Sequence, residues 1–179
     1  MKKQTVSILV VAVVFAALAG CKALNKLTQF YVKYDTSYTY PAGLPVDIPV
    51  TAIPEIATNV QQQFKNNNTR SDLIQSAKLS DLVLCITPAG TQSFSFLKSV
   101  EIFISAPGMA ESKVAYKYDI PDTIGDYLAL DVTNAELKGY MAADSFSVRI
   151  SSVIDKTVKS GITANLHSRF FIDAKILGI

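Results

Sequence analysis

Four features of this chain carry side chains suited to chemistry: Cys21, Cys85, His167 and the acidic segment 119–126. Thiols act as nucleophiles or metal ligands and are sites of covalent modification. A histidine can transfer protons or bind a metal, and a group of carboxylates can bind calcium. Which of these roles is open to each residue depends on the partners that the surrounding sequence supplies.

Cys21 closes an N-terminal segment with the layout of a secretory signal peptide. Lys2 and Lys3 form its positive start, residues 6–18 form a nearly unbroken apolar run, and small residues occupy positions 19–20. The run is shorter than the roughly 20 residues that a membrane-spanning helix needs. It also ends in small residues rather than in a positive stop-transfer cluster. We therefore predict a cleaved signal and not an uncleaved membrane anchor.

The sequence Leu18-Ala19-Gly20-Cys21 resembles the lipobox of bacterial lipoproteins. The resemblance implies that diacylglycerol is attached to the Cys21 thiol and that residues 1–20 are then removed. Acylated Cys21 would become the first residue of the mature protein. Two or more acyl chains make membrane attachment stable, so the membrane is the first predicted partner, through the lipid on Cys21.

The residues after Cys21 bear on which membrane carries the protein. In lipoproteins an aspartate at the next position favours retention in the inner membrane, whereas Lys22 stands there in this chain. Some bacteria export lipoproteins to the cell surface with an acidic stretch after the cysteine, and residues 22–26 contain no acid. By this resemblance we expect a lipid anchor in the outer membrane, with the domain facing the periplasm rather than the cell surface.

The composition of the mature chain bounds its domains and its partners. Removing 20 of the 179 residues leaves 159, which is enough for one domain with its own core. We expect a signal peptide at 1–20, a lipidated tether at 21–27 and one β-sandwich domain at 28–179. The 17 basic residues include Lys2 and Lys3, so the mature chain has 15 basic and 15 acidic residues. This balance argues against nucleic acid as a partner and against a polybasic membrane patch.

Cys85 and His167 have sequence settings that do not favour catalysis. Cys85 lies in the apolar run 82–86, which predicts a buried, free thiol that behaves as a small hydrophobic group. A reactive thiol would need a neighbour that lowers its pKa. His167 is the only histidine, so several nitrogen or sulfur ligands for zinc are lacking. No G-x-S-x-G motif accompanies it, and we predict a polar side chain on a strand.

The only binding function that the carboxylates of the sequence suggest is a calcium site. Asp119, Asp122 and Asp126 lie in a loop and are a weak calcium candidate, because loop oxygens bind this ion but the EF-hand spacing is missing. The alternative is a solvated turn whose aspartates accept hydrogen bonds from local amides. Three other carboxylates have ordinary settings: Glu101, Glu111 and Glu136. We predict no catalytic residues, no cofactor and no enzymatic activity.

Alternating apolar residues predict an all-β fold. The clearest period-2 segments are 28–35, 78–87, 100–105, 146–154 and 162–176. Residues 46–53 contain Pro49 and read as an edge or bulged strand. Residues 59–70 read as an exposed strand or a loop, and 71–77 as one or two helical turns. Segment 127–132 reads as one strand and 134–143 as a helix capped by Thr133 or Asn134. Together these segments predict an antiparallel β-sandwich, jelly-roll or fibronectin-like, with one or two short helices. The predicted inward residues are Val83, Cys85, Ile102, Ile104, Leu128, Leu130, Val148, Ile150, Ile172 and Ala174.

Segments 94–105 and 170–176 resemble those of small lipid-anchored β-sandwich proteins, a resemblance that implies no known activity. We therefore expect a non-enzymatic structural or protein-binding accessory module, with another envelope protein as partner. A carbohydrate- or lipid-binding domain is the alternative, and a hydrolase is the third hypothesis. An exposed apolar patch would favour a protein partner, an aromatic platform or groove would favour a ligand, and two carboxylates facing each other across a cleft would favour an enzyme.

Tyr34, Tyr38 and Tyr40 share one strand face, which reads as a binding surface or as core packing.

Overall fold

The computed structural model of this chain describes residues 28–53, 60–90, 92–143 and 145–175. The described residues form nine strands: β1 (Gln29–Tyr40), β2 (Pro49–Ala52), β3 (Ile74–Ile86), β4 (Leu97–Ser105), β5 (Ser112–Lys117), β6 (Tyr127–Ala129), β7 (Asp131–Val132), β8 (Ser147–Ile154) and β9 (Ile162–Ala174). Two short helices, α1 (Val60–Asn66) and α2 (Lys138–Ala142), and a 3₁₀ turn (Ser71–Leu73) accompany them. The predicted signal peptide and tether lie outside the described residues, and no helix within them is long and apolar enough to cross a membrane.

The strands form two antiparallel sheets with the strand order of a jelly roll. The first sheet has the order β1-β9-β3-β6, and the second has the order β2-β8-β4-β5-β7. The first strand thus pairs with the last in one sheet, while the second pairs with β8 in the other. The pieces β6 and β7 are separated by Leu130 alone and belong to different sheets, so they act as one strand that crosses between the sheets. This arrangement confirms the predicted β-sandwich and corresponds to its jelly-roll form.

Alternation places the core between the two sheets. In β9 the even-numbered residues Ile162, Ala164 and Leu166 are buried, while the odd-numbered Asn165 and His167 face outward. Eight of the ten predicted inward residues are buried: Ile102, Ile104, Leu128, Leu130, Val148, Ile150, Ile172 and Ala174. Phe94 and Phe96 are buried in this core, where the Phe96 ring lies 5.1 Å from the Tyr40 ring between centroids. The aromatic face of β1 is part of this core, because Tyr34 and Tyr40 are buried and Tyr38 packs against them.

The prediction that Val83 and Cys85 point inward is wrong. Leu79 starts an alternation of odd-numbered residues, but a β-bulge between Leu79 and Asp81 inserts one residue and shifts the parity. Beyond the bulge the even-numbered residues of β3 are buried, and Cys85 is only partly buried on the outer face. A run that is apolar at every position carries no alternation that could reveal this shift.

Two further predictions differ from the structure, and a third is confirmed in part. The polar segment 59–70 contains the helix α1, whose Phe64 is buried and packs edge-on against Phe30 at 6.3 Å. Segment 71–77 has one of the one or two helical turns predicted there, the 3₁₀ turn Ser71–Leu73, before β3 begins at Ile74. The helix predicted at 134–143 is confined to α2, and Leu137 rather than Thr133 or Asn134 precedes its first turn, with no side-chain cap.

Candidate functional site

The outer face of the β1-β9-β3-β6 sheet carries two side-chain pairs, one of which includes His167. Nδ1 of His167 lies 2.7 Å from Oδ1 of Asp35 on β1, and Nε of Arg169 lies 2.7 Å from Oδ2 of Asp81 on β3. Both pairs join residues that the register places side by side. A shallow groove of about 260 Å³ is lined by Lys33, Asp81, Val83, His167, Ser168 and Arg169.

The Asp35 carboxylate can orient the His167 ring, but the neighbouring Ser168 is not positioned as a nucleophile that His167 could activate. The His167–Asp35 pair matches two members of a Ser-His-Asp triad in residue type. Ser168, however, donates its hydroxyl to the Tyr34 carbonyl at 3.0 Å and not to the His167 ring. His167 is thus the strand-borne polar side chain that the sequence predicts, and both members of its pair are half exposed or more. Such a pair adds at most about 1 kcal/mol to stability.

Cys85 is free, and its surroundings disfavour a reactive thiolate. Burial of the partly covered thiol, together with the nearby Asp126 carboxylate, raises the pKa of Cys85. Catalytic thiols have a lowered pKa because a positive group or a helix N-terminus stabilises the thiolate. The environment of Cys85 acts in the opposite direction.

The acidic loop uses two of its three carboxylates for protein contacts. Asp122 forms an ion pair with Lys156 at 2.5 Å, and Oδ2 of Asp126 accepts a hydrogen bond from the Gly90 amide at 2.7 Å. Asp119 has a positive φ of 49° and lies at a tight turn after β5. Among the described residues no three carboxylate, histidine or cysteine side chains are grouped so that they could hold a metal ion. The structure therefore does not bring Asp119, Asp122 and Asp126 together.

The outer face of the second sheet carries a more connected group. Glu101 on β4 accepts hydrogen bonds from the Tyr118 hydroxyl at 2.5 Å and from Nζ of Lys113 at 3.0 Å. These two bonds lower the pKa of Glu101 and keep it ionised. The rings of Tyr116 and Tyr118 lie 5.0 Å apart between centroids.

The same group continues across β4 to β8. The Arg149 guanidinium lies 4.0 Å from the Phe103 ring centroid, and it forms two hydrogen bonds to Glu111. These bonds hold the pKa of Glu111 below its ordinary value. We call the whole set the aromatic–charged cluster; it consists of Glu101, Phe103, Glu111, Lys113, Tyr116, Tyr118 and Arg149. Alternation in β4 places Glu101 and Phe103 on outward positions, whereas an irregularity in β5 buries both Val114 and Ala115 and leaves Lys113 and Tyr116 outside. Neither this irregularity nor the pairing of the strands can be read from sequence.

A third surface is apolar and lies beside an edge strand. Within residues 46–53, which we call the apolar edge segment, Val46 is 42% exposed, Ile48 57% and Ile53 67%. The segment includes β2, which pairs with β8 and lies at the edge of its sheet, as Pro49 predicts. Exposed aliphatic side chains of this size, concentrated in eight residues, are typical of surfaces that another molecule covers.

Comparisons with known proteins identify no family. No family model matches this chain, and no curated protein matches its sequence. The solved structures that it resembles include Cocksfoot mottle virus, at 10% identity over 83% of this chain and 85% of that one, with a TM-score of 0.29. Turnip yellow mosaic virus matches at 12% over 84% of each chain (TM-score 0.31), and Desmodium yellow mottle tymovirus at 8% over 84% and 91% (TM-score 0.25). At these values the likeness carries no argument about the function of this chain.

Proposed function

We propose that this protein is a lipid-anchored component of the bacterial envelope and acts as a non-enzymatic accessory module that binds another envelope protein. The anchor is the acylated Cys21, and we place it in the outer membrane with the domain facing the periplasm. The observation that supports protein binding is the exposure of Val46, Ile48 and Ile53 beside the edge strand β2.

The position of the apolar edge segment favours a protein over the membrane. The tether enters the domain at the Gln29 end of β1, and this strand runs about 40 Å at 3.3–3.4 Å per residue. The segment follows the other end of β1, where the Asp47 amide donates to the Ile154 carbonyl. Val46 and Ile48 are thus at the far end of the sandwich from the tether. An apolar surface there is available to a protein rather than to the bilayer that holds the anchor.

Side chains rather than an added strand are expected to dominate this contact. Pro49 begins β2 and has no amide proton to donate to a partner strand. Burying one large aliphatic side chain contributes about 1.5–3 kcal/mol. The aliphatic side chains of the segment would therefore contribute favourably to such a contact, which the anchor strengthens by concentrating the protein at the membrane.

The anchor is tested by labelling cells with radioactive palmitate. We expect the natural chain to be labelled and Cys21→Ser to be unlabelled and unprocessed. Labelling of the Cys21→Ser chain would show that the acyl site lies elsewhere. Protease added to intact cells tests the orientation, because a domain that faces the periplasm is protected and rapid digestion means surface exposure.

The partner is tested by photocrosslinking in intact cells. A benzoylphenylalanine replaces Ile48 in one strain and Tyr127 in a control strain, since both side chains are 57% exposed and Tyr127 lies on the other sheet. We expect one discrete crosslinked protein from position 48, none from position 127, and loss of its co-purification in Ile48→Lys. Equal crosslinking at both positions, or none at position 48, contradicts the proposed surface.

A further inference from the structure

The aromatic–charged cluster presents aromatic rings together with both hydrogen-bond donors and acceptors. Its four charged side chains are two carboxylates, Glu101 and Glu111, and two cations, Lys113 and Arg149. Their charges cancel, so the surface selects neither an anion nor a cation. A ligand that fits it is neutral, carries donors and acceptors of its own, and has an apolar face to lie on a ring.

The Tyr118 ring is held at its hydroxyl end, has the Tyr116 ring 5.0 Å away between centroids on one side, and is partly exposed. Nζ of Lys113 lies 3.1 Å from the Tyr118 hydroxyl oxygen and 5.8 Å from the ring centroid. The ammonium therefore lies beyond the hydroxyl end of the ring and not above its face. The bond from the hydroxyl to Glu101 holds the ring in place, and Tyr118 remains 45% exposed. A side chain fixed in this way loses little rotamer entropy when a ligand packs on it.

We propose that the aromatic–charged cluster binds a neutral oligosaccharide, with one pyranose ring on the face of Tyr118 and its hydroxyl groups hydrogen-bonded to Glu101 and Lys113. The axial C–H groups of a pyranose form the apolar face that an aromatic ring accepts, and its hydroxyls both donate and accept. Glu101 accepts from a sugar hydroxyl, and Lys113 donates to one. The two charged groups are next to the ring that carries the sugar.

Other ligand classes fit this surface less well. Nucleic acid requires an excess of positive charge, which the cluster lacks. An extended peptide binds along a sheet edge, where it adds a strand, whereas Glu101 lies on the broad face of β4, which has neighbours β5 and β8 on both sides. The cluster adjoins the apolar edge segment on the same sheet, because Arg149 directly precedes Ile150, which pairs with Ala52. The two proposals still fail independently, because one is read from a crosslinked protein and the other from a bound sugar.

The test uses the mature lipidated protein in a zwitterionic, sugar-free detergent. Saturation-transfer NMR and titration calorimetry measure binding of three neutral tetrasaccharides: β-1,4-linked N-acetylglucosamine, β-1,4-linked glucose and α-1,4-linked glucose. We expect at least one of them to bind, with transfer strongest to its ring C–H protons. Tyr118→Ala should weaken that binding about tenfold or more. Tyr118→Phe keeps the ring but loses its bond to Glu101, and it should weaken binding less than Tyr118→Ala does.

Two further variants separate this site from general effects. Tyr31→Ala is the matched control, because Tyr31 is 52% exposed, contacts a cation and lies on the other sheet; its affinity should be unchanged. Lys113→Met removes a donor and should weaken binding in a protein whose melting curve shows that it is folded. Failure of all three sugars to bind, or equal losses in Tyr31→Ala and Tyr118→Ala, overturns the proposal.

Discussion

Two buried tyrosines on the same face of β1 differ in one hydrogen bond. The Tyr40 hydroxyl lies 2.9 Å from the Ser152 hydroxyl, and both residues are buried. Among the described residues Tyr34 is the one whose buried side-chain polar atom lacks a hydrogen-bond partner. Burial raises the pKa of both phenols, that of Tyr40 to about 12, so both stay neutral under ordinary conditions.

Replacing each tyrosine with phenylalanine should therefore change stability in opposite directions. Tyr34→Phe removes a hydroxyl without a partner, and we expect the free energy of unfolding to rise by about 1 kcal/mol. Tyr40→Phe leaves the Ser152 hydroxyl buried and unpaired, and we expect a loss of about 1–2 kcal/mol. Urea titrations of the two variants measure this. A loss in Tyr34→Phe equal to that in Tyr40→Phe would mean that the Tyr34 hydroxyl has a partner.

The outward position of Cys85 changes what its chemistry should be. We expect a thiol reagent to modify Cys85 in the folded mature protein, although slowly at neutral pH, because its pKa is raised and little thiolate is present. The rate should increase as the pH approaches the raised pKa. Asp126→Asn should accelerate it, since the Asp126 carboxylate contributes to the shift. A thiol that reacts only after unfolding would contradict the outward position.

At the scale of elements, Glu136 connects the segment before α2 to β3. Its carboxylate accepts hydrogen bonds from the Ser76 hydroxyl at 2.7 Å, the Ala77 amide at 2.8 Å and the Lys138 amide at 2.9 Å. Burial acts to raise the pKa of Glu136, but the hydrogen bonds outweigh it and the pKa is lowered. The sequence places Glu136 on an ordinary helix exterior, because contacts with residues 60 positions away leave no local pattern.

Glu136→Gln should destabilise the domain in a pH-dependent way. The folded-state pKa of Glu136 lies below its unfolded value, so its contribution is complete above the unfolded pKa and is lost as pH falls through the folded pKa. We expect a loss of about 1 kcal/mol at pH 7 that shrinks toward pH 3. Melting curves across this range measure it, with Asp72→Asn as control because Asp72 is an exposed carboxylate beside Arg70. A difference that does not vary with pH would argue against the ionised contacts.

The elements that sequence predicts well are those with one polar and one apolar face. β8 and β9 alternate cleanly, and their buried residues follow the predicted parity. The helix α1 was missed because it has one buried anchor, Phe64, in a run of glutamine and asparagine. α2 is shorter than predicted, and its Gly139 has a packing role, since a Cβ there would lie 2.5 Å from the Met109 methyl group. Such contacts come from distant segments and leave no periodic signal.

At the scale of the whole molecule, alternation of apolar residues predicts two packed sheets. It does not predict which side chains the strand pairing brings together on their outer faces. The pairing of β4 with both β5 and β8 is what joins Glu101, Lys113 and Arg149 into one surface. Considered one at a time in the sequence, Glu101 is a carboxylate on a strand, and Lys113 and Arg149 are two unrelated surface cations. The sequence thus predicts the scaffold, and by resemblance the anchor, while both candidate binding surfaces depend on long-range register.

The jelly roll should fold without metal, because its stability rests on the apolar layer between the sheets. That layer includes fully buried large side chains such as Ile102, Ile154 and Ile172, each worth about 1.5–3 kcal/mol. In the acidic loop Asp122 is paired with Lys156, and Asp126 accepts from the Gly90 amide.

We therefore expect the same melting temperature, within about 1 °C, for the mature protein in excess EDTA and in millimolar calcium. Asp126→Asn should lower the melting temperature equally in both solutions, because it weakens the bond to the Gly90 amide and removes no metal ligand. A rise of several degrees with calcium that disappears in Asp126→Asn would instead identify the loop as a calcium site. That result would mean that the loop rearranges to gather Asp119, Asp122 and Asp126 around the ion.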